Sequence, residues 1–269
     1  MSKSLTIIET RGLTRRFGDV TAVDAVDLSI STGEIFGLLG PNGAGKTTMI
    51  KMLTTLLPPT TGTALVAGFD IERESARVRG AIAYVPQLVS ADGSLTAYEN
   101  LLLFARLYGV PRKEREQRIN EALEFVGLLE SAHRVVRGYS GGMVRRLEIA
   151  LALIHRPRLL FLDEPTVGLD PLARQSVWQH VRLLAEQYGM TVLLTTHFME
   201  EADTLCGRVA IMNRGRVTAI GTPAALKLGI GVAEATLDHV FAHYSGAQLE
   251  SEGNFHELTR TRRTLARLG

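Results

Sequence analysis

Residues 40–47 read GPNGAGKT, small residues closed by a lysine and a threonine. Gly40, Gly43 and Gly45 let backbone N–H groups turn inward around phosphate oxygens without a Cβ in the way. Pro41, Asn42 and Ala44 complete the loop. Lys46 brings positive charge to the β- and γ-phosphates, and Thr47, followed by Thr48, offers a hydroxyl to Mg²⁺. The loop follows the apolar run EIFGLLG and precedes a helical pattern, the strand–loop–helix context this chemistry requires. A nucleoside triphosphate site is expected. The loop alone does not separate a kinase, GTPase, helicase or transporter ATPase.

The stretch LLFLDEPT at 159–166 puts two carboxylates at the end of an apolar strand, the edge where open α/β sheets bind ligands. Asp163 is expected to hold Mg²⁺. Side chains alternate along a strand, so Glu164 is expected to aim away from Asp163, toward an attacking water as general base. Gln87 follows AIAYVP, and its amide can reach the metal or the water. His197 closes VLLTT, where a neutral imidazole can hydrogen-bond a γ-phosphate. Phe17 offers a face for adenine, although as an isolated aromatic it reads better as core packing. The other histidines, at 133, 155, 180, 239, 243 and 256, lack metal-ligand spacing and read as surface or capping residues.

A second anion-attracting element lies far from the first. YSGGMVRRLEIA at 139–150 has Ser140 as a helix cap, and Gly141–Gly142 opens that helix with bare backbone. Met143, Leu147, Ala150, Leu151 and Ile154 form one apolar face.

Positioning these residues requires an α/β frame. Val26, Leu28 and Ile30 alternate with polar neighbours as a half-buried strand does. LTIIET and the stretch around Phe17 add strand and turn near the N-terminus. Further strands are expected at 34–40, 81–86, 159–164, 192–196 and 208–212, with helices at 171–187 and 198–205. A helix from about Lys46 to Leu57 is expected to end at Pro58–Pro59. Thr96 and Glu99 form a capping-box pattern opening a helix over 97–108. A second helix over 113–126 carries Ile119, Ala122, Leu123 and Val126 on one side. Residues 92–138 thus read as a helical insert in a largely parallel sheet with helices on both faces. The stretch 246–269 reads as a basic, solvated tail.

Composition narrows the class. The 269 residues are 45% hydrophobic and 22% charged, ample for a buried core. A net charge of +2 gives no push toward nucleic acid or acidic lipid. The lone Cys206 excludes an internal disulfide and fits a reducing compartment. No apolar run approaches the roughly 18–20 residues of a membrane helix, and MSKSLTIIETRG has no signal-peptide core. The chain is expected to reach a membrane only through a partner.

In order along the chain, Phe17, GPNGAGKTT, Gln87, YSGGM, FLDEP, GLD and His197 resemble the ATP-binding cassette (ABC) ATPase family over about residues 5–245. SGGMVRRLEIA, DEPTVGLDP, TTHFMEEAD and ATLDHVFAHYSG look like the nucleotide-binding subunits of drug and antibiotic exporters of the daunorubicin-resistance type. The resemblance implies a P-loop NTPase core with a mostly parallel sheet, an N-terminal antiparallel β region and the helical insert. It implies ATP and Mg²⁺ as ligands, and a head-to-tail homodimer in which Ser140, Gly141, Gly142 and Asp170 face the partner copy's ATP. Phe17 would stack on adenine, and residues 40–48 would hold phosphate and metal. Asp163 and Gln87 would serve the metal, Glu164 would be the base and His197 the γ-phosphate switch. A separate multi-span permease would dock near Gln87–Leu107 on the cytoplasmic face of the membrane, and no nucleic acid is expected. Tyr139 and Met143 depart from the common LSGGQ signature, and VGLD replaces SALD. The alternative within the family is a soluble ATPase acting on nucleic acid or ribosomes. Those versions carry long coiled coils or two cassettes, and neither is present here. A small-molecule P-loop kinase leaves Ser-Gly-Gly and His197 unexplained.

Overall fold

The computed structural model describes residues 5–245. Strands β1 (Thr6–Phe17) and β2 (Val20–Ser31) form an antiparallel hairpin, and β3 (Ile35–Leu39) runs through the glycine loop into α1 (Lys46–Leu53). β4 (Thr61–Val66), β5 (Phe69–Asp70), α2 (Ser75–Ala81) and β6 (Ile82–Val85) follow. Next come the helices α3 (Ala97–Leu107), α4 (Arg112–Phe125) and α5 (Gly141–Leu153). The chain then alternates β7 (Leu159–Asp163), α6 (Pro171–Tyr188), β8 (Thr191–Thr196), α7 (Met199–Leu205) and β9 (Arg208–Asn213). It closes with β10 (Arg216–Gly221), α8 (Pro223–Gly229) and α9 (Leu237–Ser245).

Two sheets result. One has strand order β2-β1-β4-β5 and is antiparallel. The other has order β10-β9-β3-β8-β7-β6, parallel except for the edge strand β10. Strands β3, β8 and β7 are buried on both faces, which is why they read as continuous apolar runs. Their side chains alternate between two cores. Phe36, Leu38, Phe161 and Leu193 pack with Met49, Ile50 and Leu53 of α1 and with Ile8, Leu13 and Ile30 of the antiparallel sheet. Leu39, Leu160, Leu162, Val192 and Leu194 pack against α5, α6 and the inserted helices. Helices thus lie on both faces, as expected, and the antiparallel sheet shares one of those faces with α1. The reason lies in β1 and β2, whose apolar sides need a partner and find it there.

The helix after the glycine loop is shorter than Lys46–Leu57. The Thr54 hydroxyl donates back to Ile50 O at 2.9 Å, and Thr55 turns left-handed at φ 63°. The helix therefore ends before the prolines. The capping box at Thr96 and Glu99 forms as expected, and Ile119, Ala122, Leu123 and Val126 are buried together. His155 is partly buried rather than a free surface residue. Its ring stacks on Tyr108 at 3.9 Å and its Nε2 lies 2.9 Å from Ile82 O, and burial lowers its pKa. The basic stretch 246–269 and His256 lie outside the described residues. No described helix is long and apolar enough to cross a membrane.

Candidate nucleotide site

The glycine loop leaves the carboxyl end of β3 under tight constraint. A Cβ on Gly40 would lie 2.3 Å from Met212 O, and one on Gly45 would lie 2.3 Å from Ala22 O. Gly45 also has φ 105°, so glycine is required on two counts. Gly43 differs from both. A Cβ there would meet nothing within 4 Å, and only its left-handed φ of 80° calls for glycine. With Pro41 and Asn42 it forms the exposed rim of the loop, while Ala44 is buried beneath. The expectation that all three glycines clear space for phosphate is thus refined: Gly40 and Gly45 are fixed by close packing, and Gly43 by the turn.

Helix α1 then starts with no side-chain cap, whereas Thr96, Ser140, Asp170 and Thr222 cap α3, α5, α6 and α8. The first-turn N–H groups of α1 thus have no side-chain acceptor, the arrangement that suits phosphate oxygens. Lys46 is buried and folds back over the loop, donating to Gly40 O at 2.8 Å and Pro41 O at 3.2 Å.

The two carboxylates converge on this loop with separate partners. Asp163 Oδ1 accepts from Thr195 Oγ1 at 2.6 Å and from Thr47 Oγ1 at 3.2 Å, and Oδ2 accepts from Tyr84 OH at 3.4 Å. A hydroxyl and a carboxylate side by side are hard oxygen donors, a set that fits Mg²⁺. Glu164 places Oε1 3.2 Å from Lys46 Nζ and 3.4 Å from His197 Nδ1, and its Oε2 accepts from Gln87 Nε2 at 3.3 Å. The His197 contact lies outside hydrogen-bond geometry, and Nδ1 has no hydrogen-bond partner.

Glu164 does not diverge from Asp163 by strand alternation, as expected from the sequence. β7 ends at Asp163, and Glu164 adopts a left-handed φ of 49°. Its N–H is held by Thr195 O at 3.1 Å and Thr195 Oγ1 at 3.0 Å. That turn, rather than the pleat, sends the carboxylate to Lys46, Gln87 and His197. Such a conformation costs energy in a non-glycine residue and persists where its surroundings hold it.

Phe17 is not a core residue. It is 47% exposed at the tip of the β1–β2 hairpin, with the Arg15 guanidinium 4.7 Å from its ring. The same hairpin reaches the glycine loop through Ala22, whose carbonyl closes on Gly45.

Among the described residues, no hydrogen bond or ion pair joins Ser140, Gly141 or Gly142 of the second glycine element to this cluster. Ser140 caps α5 by accepting from Met143 N at 3.3 Å, and both Ser140 and Gly141 are exposed. Gly142 is buried, and a Cβ there would lie 2.8 Å from Ala173 Cβ. Close packing of α5 on α6 therefore demands this glycine, beside any need for bare backbone. Asp170 caps α6 by accepting from Ala173 N at 2.9 Å.

Two residues of the cluster were not singled out from sequence. Thr195 bridges Asp163 and the Glu164 backbone, and Tyr84 donates to Asp163. Burial first, then the Asp163 charge, push the Tyr84 pKa up and keep the phenol a donor. The available signal was position: both stand at or beside strand ends on the loop's edge of the sheet.

Residues 23–167 match the family model described as ABC transporter. The chain is 47% identical over 224 residues to the daunorubicin/doxorubicin resistance ATP-binding protein DrrA of Streptomyces peucetius, covering 83% of this chain and 68% of that protein. Among solved structures, an ATP-binding subunit of an ABC transporter superposes with a TM-score of 0.79 at 30% identity, covering 89% of this chain and 99% of that one. A dimeric ATP-binding cassette in a post-hydrolysis state, bound to ADP and Pi, superposes at 0.71 with 28% identity, covering 80% and 98%. The strand order, the loop-bound carboxylates and these likenesses agree: the chain belongs to the ABC transporter family as an ATP-binding, ATP-hydrolysing subunit.

Proposed function

We propose that two copies of this chain close around two ATP molecules and drive a separate membrane permease that exports a drug, antibiotic or similar amphipathic cargo. The observation that carries the reading is the convergence of Lys46, Gln87 and His197 on the Glu164 carboxylate, beside Asp163 and Thr47. Phe17 stacks on the adenine, and the backbone of residues 40–45 with Lys46 and Thr48 binds the phosphates. Mg²⁺, when bound, neutralises charge on the β- and γ-phosphate oxygens; Thr47, Asp163 and Gln87 would hold it. Glu164 accepts the proton of the attacking water, and His197 donates to the γ-phosphate.

Ser140 and Gly141 are exposed at the start of α5, which supports a role for Ser140, Gly141 and Gly142 against the other copy's γ-phosphate, with Asp170 near the same contact. The solved dimeric cassette supports a paired arrangement. The domain reading is an ATPase body over residues 1–245, with residues 92–138 as its helical insert and 246–269 as a tail. The insert helices span only 11 and 14 residues, far from the long coiled coils of the nucleic-acid branch.

Permease docking is assigned to the stretch Gln87–Leu107, which includes Leu88, Val89, Leu103 and Leu107. All four are exposed, Leu88 by 82% and Leu107 by 72%. Exposed apolar side chains on this stretch of chain suit a protein contact. It would place the chain on the cytoplasmic face of the membrane. The drug assignment follows the daunorubicin-resistance relative.

The test is the Glu164→Gln chain recovered from native membranes with ATP present. It is expected to have lost turnover, to be dimeric with ATP bound, and to carry a multi-span protein in stoichiometric amount. A soluble preparation carrying nucleic acid or ribosomes would overturn the export reading.

A further inference from the structure

α5 is fastened to the Gln87 loop by a buried ion pair that the mechanism above does not use. Arg145 and Glu148 lie one turn apart, their side chains 7% and 1% exposed, with Nη1 to Oε2 at 3.0 Å. Arg145 also donates to Pro86 O at 2.8 Å and to Gln87 O at 3.3 Å. The other Glu148 oxygen accepts from Ser90 N at 2.6 Å and Ser90 Oγ at 3.1 Å. Both ends of the segment 86–90 are therefore bonded to one face of α5. Between the two fastenings, Leu88 and Val89 stand 82% and 62% exposed.

An ion pair of this kind is a poor way to gain stability. Burial pulls the Arg145 pKa down and pushes that of Glu148 up, although each charge partly offsets the other's cost. Apolar residues in the same space serve stability as well or better, and α5 supplies them elsewhere in Leu147, Ile149 and Leu151. The pair provides directional bonds to the backbone of a segment that has no strand or helix of its own. α5 is a 13-residue helix, and Arg145 lies five residues from its cap, about 7.5 Å along the axis. Over that distance a helix moves as a rod.

We propose that Arg145 and Glu148 are positioning residues that tie the Gln87 loop to α5, so that a displacement of Leu88–Val89 moves the helix end bearing Ser140. The proposal rests on the reading that Ser140 faces the ATP of a second copy and that Leu88–Val89 meets the permease. It links the two surfaces within one chain through the hydrogen bonds above.

The test compares the Glu164→Gln chain with the same chain carrying Arg145→Leu and Glu148→Met together, which leaves no lone buried charge. The thermal midpoint and ADP affinity are expected to hold within about twofold, since the pair makes no hydrogen bond or ion pair with the glycine loop or Asp163 and Arg145 feels the Asp163 charge only at a distance. Amide exchange at Ser90 is expected to rise roughly tenfold or more, and the ATP concentration for half-maximal dimerisation to rise about tenfold. Faster exchange with unchanged dimerisation would overturn the coupling and reduce the pair to a local brace. ADP affinity and dimerisation falling together would also overturn it. Should the double variant not fold, Arg145→Lys keeps the charge but loses the fork that spans both carbonyls. It is expected to show the same split between ADP affinity and dimerisation, and no split would count against the proposal. A parent Glu164→Gln chain that stays monomeric with ATP would overturn the dimer reading and the coupling with it, before any change at 145 or 148.

Discussion

The carboxylates of Glu164 and Asp163 are adjacent in the chain yet share no partner, and the Thr195 side chain holds one carboxylate and the backbone of the other residue. Its hydroxyl donates to Asp163 Oδ1 and accepts from Glu164 N. Replacing it with valine keeps the volume, removes both hydroxyl bonds and leaves the strained turn at Glu164 held by the Thr195 carbonyl alone. Thr195→Val is expected to lower turnover about 10- to 100-fold, with a smaller loss of ATP affinity, and Thr195→Ser to restore most of both. Steady-state kinetics and nucleotide titration of the three proteins check this; equal activity in Thr195→Val would remove Thr195 from the site. Tyr84 gives a pH test. Its pKa is raised in the folded chain by burial and by Asp163, so the phenol stays neutral after the unfolded chain's tyrosine, near 10.0, has ionised. The stability it confers is complete below pH 10 and is lost as pH rises from there toward the folded value. Tyr84→Phe is expected to flatten the alkaline fall in stability, measured by urea midpoints between about pH 8 and 11.

Helix starts carry two separate duties in this chain, and substitution can split them. Ser140 caps α5, and it is also the residue proposed to face the other copy's phosphate. Aspartate is as good a cap as serine but places negative charge against a phosphate. Ser140→Asp is therefore expected to keep the thermal midpoint and lose ATP-driven dimerisation, whereas Thr96→Ala should cost about 1 kcal/mol at α3 and leave dimerisation alone. A Ser140→Asp chain that still dimerises normally would remove Ser140 from the contact. Caps such as these were legible because they are local: Thr96–Glu99 and Ser140–Met143 close within three residues. The doubly buried strands were legible because burial on both faces leaves uninterrupted apolar runs. β10 was not, since its side chains are all partly or fully exposed, and β5 is too short to show a period. Glycine-loop chemistry was legible from spacing, although spacing could not separate the packed Gly40 and Gly45 from the exposed turn at Gly43. The turn at Glu164 and the Arg145–Glu148 fastening were not legible, because they depend on partners 31 and 58 residues away, as at Thr195 and Ser90.

The two surfaces proposed to work, for the permease and for the second copy, fall on different helices of the chain. α3 exposes Leu103 and Leu107, while α5 turns its apolar face inward and exposes only its capped end. Leu107 lies near the end of α3, with no bond to the glycine loop or to either carboxylate among the described residues. Its apolar side chain, 72% exposed, gives nothing to the fold that a glutamate would remove. A carboxylate in the centre of an apolar contact must be desolvated without a partner, a cost of several kcal/mol. Leu107→Glu is therefore expected to leave stability and ATP binding of the isolated chain unchanged while its recovery with membranes falls at least tenfold. Fractionation of cells producing the two proteins at equal levels measures it. Undiminished membrane recovery would move the permease contact off α3, and a parallel loss of ATP binding would mean that this helix supports the nucleotide site instead.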